Sequence, residues 1–397
     1  MNDVVIIDSV RTAIGKLGGS LGAIQANHLA AHVIETIIER TGIKKDIVEE
    51  VIFGQAKQSA DESNIARYAL LRAGLPTSIP GYTVHRQCGS GVQAINSAAQ
   101  QIGAGLSDVI IAGGAESMST APYYVNDVRL GVKAGNTILK DPNTESQPGS
   151  QPTEQYGVLN MGTTAENLAE KYNITREEQD EFSLLSQTRA SEAIQTRRFE
   201  EQITPYTIKN RKQTIDFKVD EHPRKTSIEK LAALKPVFKE GGTVTAGSSS
   251  GRNDGAAAIL LMSAEAAKKY NLAPKARIVS QASAGCDPEV MGIGPVEATK
   301  KALKLANLEV SDLDVIELNE AFAAQALACI KELELDIAKV NPNGGAIALG
   351  HPVGATGTIL ITKVLHELER TGGQYGLVTL CIAGGMGIAT IVENLNR

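Results

Sequence analysis

The chain has no tryptophan and only four cysteines and six histidines in 397 residues, and these scarcities narrow what it does. The cysteines, at 88, 286, 329 and 381, form no CxxC pair and no zinc-like spacing, which argues against a disulfide scaffold and against a metal cluster. A reducing compartment is expected. Basic residues do not dominate: 39 Lys and Arg stand against 45 Asp and Glu, a net charge of −6, so nucleic acid is not expected as a partner. A local basic patch for a phosphorylated small molecule is compatible with that balance. No run of eighteen apolar residues occurs, and the N-terminus enters the strand-like Val4-Val5-Ile6-Ile7 at once. A soluble cytoplasmic protein without a membrane partner is the expectation.

What is present is enough apolar residue, 42%, to fill two cores. Short apolar strands alternate with helical patterns through the first 118 residues: Val4–Ile7, a helix near 28–41, Val51–Phe53, a helix over 64–73, a helix after residue 88 to about 103, and a strand over 108–114. This alternation predicts an α/β sheet with parallel pairs. From about 119 to 245 the texture changes to tyrosines, prolines, a polar run over 141–156 and two charged helices, which reads as an inserted loop domain packed on the body. The last third then repeats the first in outline. Arg277-Ile278-Val279 answers the opening strand, 295–306 the first helix, and Asp314-Val315-Ile316-Glu317 the strand Glu50-Val51-Ile52. Ile382-Ala383-Gly384-Gly385 repeats Ile111-Ala112-Gly113-Gly114 letter for letter. The expected organisation is one half over 1–118 completed by 246–270, the loop domain over 119–245, and a second half over 271–397, with loops of both halves around one cleft.

Four stretches carry chemistry. In His85-Arg86-Gln87-Cys88-Gly89-Ser90-Gly91 a polar approach reaches one cysteine, then glycines, then an apolar helical pattern. Cys88 is expected at a helix N-terminus, where unpaired N–H groups and the helix dipole stabilise a thiolate. A lone cysteine is more often a small buried hydrophobe, so the context has to decide. Asn319 in Leu318-Asn319-Glu320-Ala321-Phe322 closes a strand before a helix and taken alone reads as an N-cap. His351 stands between Gly350 and Pro352 in the glycine-rich run 341–357, whose spacing is neither GxGxxG nor a Walker loop. Cys381, in Val378-Thr379-Leu380-Cys381-Ile382, taken alone reads as core.

Together these motifs resemble the thiolase family over essentially the whole chain: Val10-Arg11-Thr12-Ala13, CGSG at Cys88, the run Ala112–Met118, Val244-Thr245-Ala246-Gly247, NEAF, GGAIALGHPVGATG and the final CIAGGMG. The resemblance implies an α/β fold of five layers, α-β-α-β-α, in two similar halves with an inserted loop domain, and a homodimer or homotetramer. It implies that Cys88 is the acylated nucleophile, that His351 activates it and that Cys381 is a second acid/base. Asn319 would hold a water that forms one oxyanion site with His351, and the N–H groups of Cys88 and Ala383 would form the other. Acyl-CoA is the implied substrate, with coenzyme A a co-substrate or product, and no metal and no cofactor are implied. Ser250, Met161 and Phe322 would line the pantetheine tunnel and Arg224 would lie near its nucleotide end. The implied activity is the reversible condensation of two acetyl-CoA to acetoacetyl-CoA. The alternatives are a degradative 3-ketoacyl-CoA thiolase for longer chains, a carrier-protein-dependent condensing enzyme, a non-catalytic acyl-CoA-binding relative and a thiol redox protein. Two departures from the family pattern stand out: Asn160 where His precedes Met-Gly in many members, and Ala383 where glycine is usual.

Overall fold

The computed structural model describes residues 2–209 and 214–396. Its strands are β1 (Val4–Arg11), β2 (Gly15–Lys16), β3 (Glu50–Gly54), β4 (Gly81–Val84), β5 (Val109–Ser117), β6 (Tyr206–Lys209), β7 (Thr214–Phe217), β8 (Asn253–Ser263), β9 (Ala276–Gly285), β10 (Leu313–Leu318), β11 (Tyr375–Ile382) and β12 (Met386–Asn394). The helices of the two halves are α1 (Ala26–Thr41), α2 (Ile65–Arg72) and α3 (Ser90–Gly103), then, after the loop-domain helices α4 (Pro142–Glu145), α5 (Thr153–Tyr156), α6 (Met161–Lys171), α7 (Arg176–Gln195) and α8 (Ile228–Ala232), α9 (Ala264–Lys269), α10 (Gly294–Ala306), α11 (Ala323–Glu332), α12 (Ala346–Leu349) and α13 (Thr356–Thr371).

The main sheet runs β10-β11-β12-β9-β1-β8-β5-β3-β4, with β2 added on β8. Outward from its centre the two sides correspond: β9-β12-β11-β10 in one direction, β1-β8-β5-β3 in the other. The halves join where β1 and β9 pair antiparallel at Val5↔Arg277 and Ile6↔Ala276. Within each half the outer pair is parallel, β3 with β5 and β10 with β11. The next pair is antiparallel, β5 with β8 and β11 with β12. The internal repeat is therefore a pseudo-two-fold relation of two half sheets.

Strand side chains alternate between faces, and a sheet covered on both faces needs apolar residues at both parities. In β5, Val109 and Ile111 face Leu29, Val33 and Ile37 of α1. Ile110 and Ala112 face the other way, toward Ile95 of α3 and Ile361 and Val364 of α13. The second half sheet meets the same pair of helices through Val378, Leu380 and Ile388. Its far face, with Leu377, Ala389 and Ile391, packs on Ala298 and Ala302 of α10 and Ala326 of α11. Five layers result, with α3 and α13 shared in the middle. α13 is buried almost all round, as a helix between two sheets must be. Each Leu or Ile it buries stabilises by roughly 1.5–3 kcal/mol, which binds the halves into one body.

The loop region 118–252 connects β5 to β8. It is tied down by Arg11, which is fully buried and grips Asp220 with two hydrogen bonds of 2.8 and 2.9 Å. In the second half the corresponding connection, from β11 to β12, is only the turn Ala383–Gly385, with φ of +90° at Gly384 and +81° at Gly385. The matching tetrapeptides thus differ in structure. Gly384 and Gly385 lie in the turn past the end of β11, whereas Gly113 and Gly114 lie inside β5, which runs on to Ser117. There the glycine serves a close approach: a Cβ on Gly114 would collide with the Gly354 carbonyl and come within 3.0 Å of Ala355 Cα. Gly114→Ala is expected to cost about 1–3 kcal/mol as overpacking. It should also slow the chemistry, because Gly354 belongs to the turn just past His351. Thermal melting and acetyl-enzyme formation would check this, and a variant unchanged in both would refute the coupling.

Candidate active site

The sequence from β4 to α3 builds a tight turn. Ser90 Oγ accepts the Arg86 N–H at 2.9 Å and donates to the Gln87 carbonyl at 2.6 Å. Gln87 takes a left-handed φ of +44°, uncommon for a residue with a Cβ, and its side-chain amide is held by Ser150 Oγ at 3.0 Å. α3 starts at Ser90 with Gly89 as its cap, so Cys88 lies just before the helix. Gly89 is needed because a Cβ there would stand 2.6 Å from Ile382 Cδ1. The turn that presents Cys88 is thereby pressed against the end of β11, which carries Cys381.

One cavity of about 200 Å³ contains Cys88, His351, Cys381 and Ala383 together with Met161, Ser250 and Phe322. Seven of the nine residues singled out in the sequence share it, although they come from both halves and from the loop domain. Phe322 packs edge-on against Phe238, with centroids 5.8 Å apart. Ser250 is fixed by its N–H to the Ala321 carbonyl at 3.0 Å. Asn319 and Arg224 do not line this cavity. Arg224 lies in a groove of about 460 Å³ with Lys16 and His222, which shares Gly251 and Arg252 with the cavity.

The charge state of Cys88 corrects the sequence reading. Burial pushes its thiol up to about 11, against the pull of Lys57 and of the backbone N–H groups of Cys88 itself and Ala383. The helix end therefore does not produce a resting thiolate. Those two N–H groups do converge on the sulfur, and Ala383 keeps that donor despite its methyl group.

A base stands in the same cavity. Burial, with Lys57 adding to it, pulls His351 down to about 4, so the imidazole is neutral at physiological pH. Its tautomer is set by its partners. Thr356 Oγ1 spends its only proton on the Pro352 carbonyl at 2.9 Å, so at 2.7 Å from His351 Nδ1 it acts as acceptor. Nδ1 carries the proton and Nε2 has a bare lone pair. Nε2 is buried and has no partner among the described residues. Asn253 Oδ1 accepts the His351 N–H at 2.9 Å and fixes the backbone behind the ring.

Cys381 is fully buried, and its thiol is held well above the ordinary range by burial and by the Cys88 sulfur. It is a thiol that keeps its proton. Asn319 is also fully buried, yet neither its Oδ1 nor its Nδ2 has a partner among the described residues. It does not cap α11, whose cap position is Phe322, so the N-cap reading is overturned. Its backbone N–H pairs with the Thr379 carbonyl at 3.0 Å, beside β11. A buried amide with both ends open is costly and marks a place for a water or a substrate atom. Asn160, one of the two departures, accepts the Thr163 N–H at 2.9 Å as the cap of α6 and does not line the cavity.

Sequence reasoning missed Thr356, Asn253 and Lys57. Thr356 and Asn253 act through distances that no motif spacing conveys. Lys57 comes after an apolar strand and turns into the cavity, and a lone lysine there carries no periodic signal. Among the described residues no three His, Cys, Asp or Glu side chains are grouped to hold a metal ion, and no helix is long and apolar enough to cross a membrane.

Two like α/β halves closing on two thiols and a neutral imidazole define a cysteine-bearing acyltransferase of layered α/β architecture. The chain belongs to the thiolase family: residues 4–265 match the family description "Thiolase, N-terminal domain" and residues 272–394 match "Thiolase, C-terminal domain". It is 50% identical over 393 residues to an acetyl-CoA acetyltransferase of Chromobacterium violaceum, covering 98% of this chain and 99% of that one. Its fold superposes on the crystal structure of the Bacillus anthracis acetyl-CoA acetyltransferase with a TM-score of 0.97 at 47% identity, over 100% and 99% of the two chains. Human mitochondrial 3-ketoacyl-CoA thiolase gives 0.95 at 43% identity, over 99% of each.

Proposed function

We propose that this thiolase is an acetyl-CoA C-acetyltransferase that joins two acetyl-CoA molecules into acetoacetyl-CoA and coenzyme A through an acyl group on Cys88. The observation that carries the reading is the bare Nε2 of His351 in one cavity with two protonated thiols. In the cleavage direction His351 takes the Cys88 proton, and the thiolate attacks the 3-oxo carbon of acetoacetyl-CoA. The C2–C3 bond breaks, Cys381 gives its proton to C2, and the proton held by His351 returns to Cys381. Coenzyme A then takes the acetyl group and leaves its thiol proton on Cys88. Condensation is the reverse. Protons and electron pairs balance with coenzyme A as the only co-substrate, so the scheme asks for no metal and no cofactor.

Developing negative charge on a thioester oxygen has two sets of donors in this scheme: a water on Asn319 with His351, and the N–H groups of Cys88 and Ala383. Preorganised donors of this kind are each worth about a hundredfold or more in rate. Met161, Ser250 and Phe322 would hold the pantetheine arm, and the groove beyond Gly251 with Arg224 would take the nucleotide end. The open edge of β4 and the exposed Tyr123, Leu130 and Ile138 are surfaces that a homodimer or homotetramer would cover. Four free cysteines fit a reducing, cytoplasmic setting.

Acetoacetyl-CoA formation from acetyl-CoA, together with thiolysis rates for short and long 3-ketoacyl-CoA, tests the reading. Short-chain activity well above long-chain activity is expected. A preference for long chains would favour a degradative thiolase.

A further inference from the structure

The proposed mechanism uses Asn319 and leaves the next letter of NEAF, Glu320, without a task. Glu320 is only 1% exposed, and among the described residues no cation touches its carboxyl group. Lys363 acts on it from a distance, since its ammonium is bonded to Glu317 at 2.6 Å and to the Gly344 carbonyl at 2.7 Å. Three donors reach Glu320 instead. Asn341 Nδ2 donates to Oε1 at 2.8 Å, and the Ser186 hydroxyl and the Ile347 N–H donate to Oε2 at 2.6 and 3.2 Å. Donors at both oxygens call for a carboxylate, which only accepts. Burying that charge is costly, and an apolar side chain would serve packing better.

The donors belong to the segments that carry two functional side chains. Asn341 grips the main chain on both sides of Asn319: its amide accepts the Leu318 N–H at 3.0 Å and donates to the Leu318 carbonyl at 2.8 Å, besides reaching Glu320. Ile347 lies in α12, which Gly350 closes with its N–H on the Ala346 carbonyl at 2.9 Å and a φ of +102°, and His351 follows directly. Ser186, on α7 of the loop domain, also accepts the Gly345 N–H at 3.1 Å. The fit leaves no slack, because a Cβ on Gly345 would stand 2.1 Å from Glu320 Cδ. One carboxylate thus bonds to the stretch that holds Asn319 and to the stretch that leads into His351. Both of those side chains are buried with polar atoms left open, and a water shared between them depends on their spacing.

We propose that Glu320 is a positioning residue that sets Asn319 and His351 at a fixed spacing, with Ser186 tying the loop domain into the same network. The proposal rests on the reading that Asn319 and His351 act together on a thioester oxygen. It adds no covalent step and assigns Glu320 no contact with substrate.

The test measures kcat and KM for thiolysis of acetoacetyl-CoA, with thermal melting alongside. Glu320→Gln keeps the shape but turns an NH₂ group toward donors. It is expected to lower kcat by about ten- to a hundredfold, as a displacement near 1 Å does at a reacting centre, and to leave KM within about twofold. Ser186→Ala should lower kcat by about two- to tenfold, the effect of one hydrogen bond. The double variant should cost little more than Glu320→Gln alone, since both changes break one network. A parental kcat in Glu320→Gln, whatever its melting temperature, would overturn the role, and so would a loss carried by KM alone. Should Glu320→Gln fail to fold, Ser186→Ala decides by the same criterion. Either failure leaves the proposed function standing as long as the wild-type protein cleaves acetoacetyl-CoA. A wild-type protein inert toward that substrate would overturn both.

Discussion

Cys381→Ala is expected to form acetyl-enzyme and to exchange labelled coenzyme A with acetyl-CoA, yet to lose carbon–carbon bond formation and cleavage by about 10²–10⁴-fold, the range of a missing acid/base. Cys88→Ala should lose both activities, because the covalent step has no other thiol. The two cysteines come apart in this way because they differ in setting. Cys88 sits on a turn between β4 and α3, partly buried, with two backbone N–H groups aimed at its sulfur. Cys381 is fully buried at the end of β11, with the Cys88 sulfur helping to hold its proton on. Mass measurement of the acetylated protein and trapping of α-proton exchange with solvent would separate the steps. If Cys381→Ala condensed acetyl-CoA near the parent rate, Cys381 would be a packed strand residue, and His351 the first candidate for the base.

The second expected result concerns pH. His351 is held down at about 4 and the Cys88 thiol up at about 11, so the resting pair is neutral on both members between those values. Protonation of Nε2 removes the base. The rate of acetyl-enzyme formation should therefore stay level as pH falls through 6.5, the ordinary histidine value, and drop only near 4. An acid limb centred near 6.5 would contradict the buried, neutral imidazole. His351→Ala should slow acetyl-enzyme formation by about 10²–10⁴-fold. Thr356→Val should slow it less and move the acid limb, since without the Thr356 oxygen nothing fixes the proton on Nδ1. An unchanged limb in Thr356→Val would refute the tautomer assignment.

Much of the body was legible because burial leaves a mark on composition. Strands covered on both faces read as unbroken apolar runs, and the helix after Cys88 keeps its apolar pattern from Ser90 to Gly103. The site was legible where glycine and proline mark the backbone, around Cys88 and His351. Electrostatics was not legible. Placing Cys88 before a helix suggests a thiolate, but the neighbours that bury the thiol come from β11, the loop domain and the turn after α12, and no local rule counts them. Asn319 illustrates the same limit, since its position before a helix mimics a cap while the fold starts α11 four residues later and leaves its amide open. The repeated Ile-Ala-Gly-Gly misled in another way, one copy lying within a strand and the other forming a turn. Identical letters took different backbones because the connections they lead into differ, three residues long in one half and spanning 118–252 in the other.

That difference in connection bears on how the chain reaches its fold. Closing a loop costs entropy that grows with the logarithm of its length, so pairing β5 with β8 across the loop domain costs about 3 kcal/mol more than zipping β11 to β12 across Ala383–Gly385. The C-terminal hairpin is the cheaper nucleus, and the half that carries Cys381 is the one expected to organise first. The half that presents Cys88 then has to wait for its inserted domain to collapse, and it gains a prebuilt surface on which α3 docks beside α13. In a chain made of two near-copies, an insertion in one copy thus sets their order of assembly.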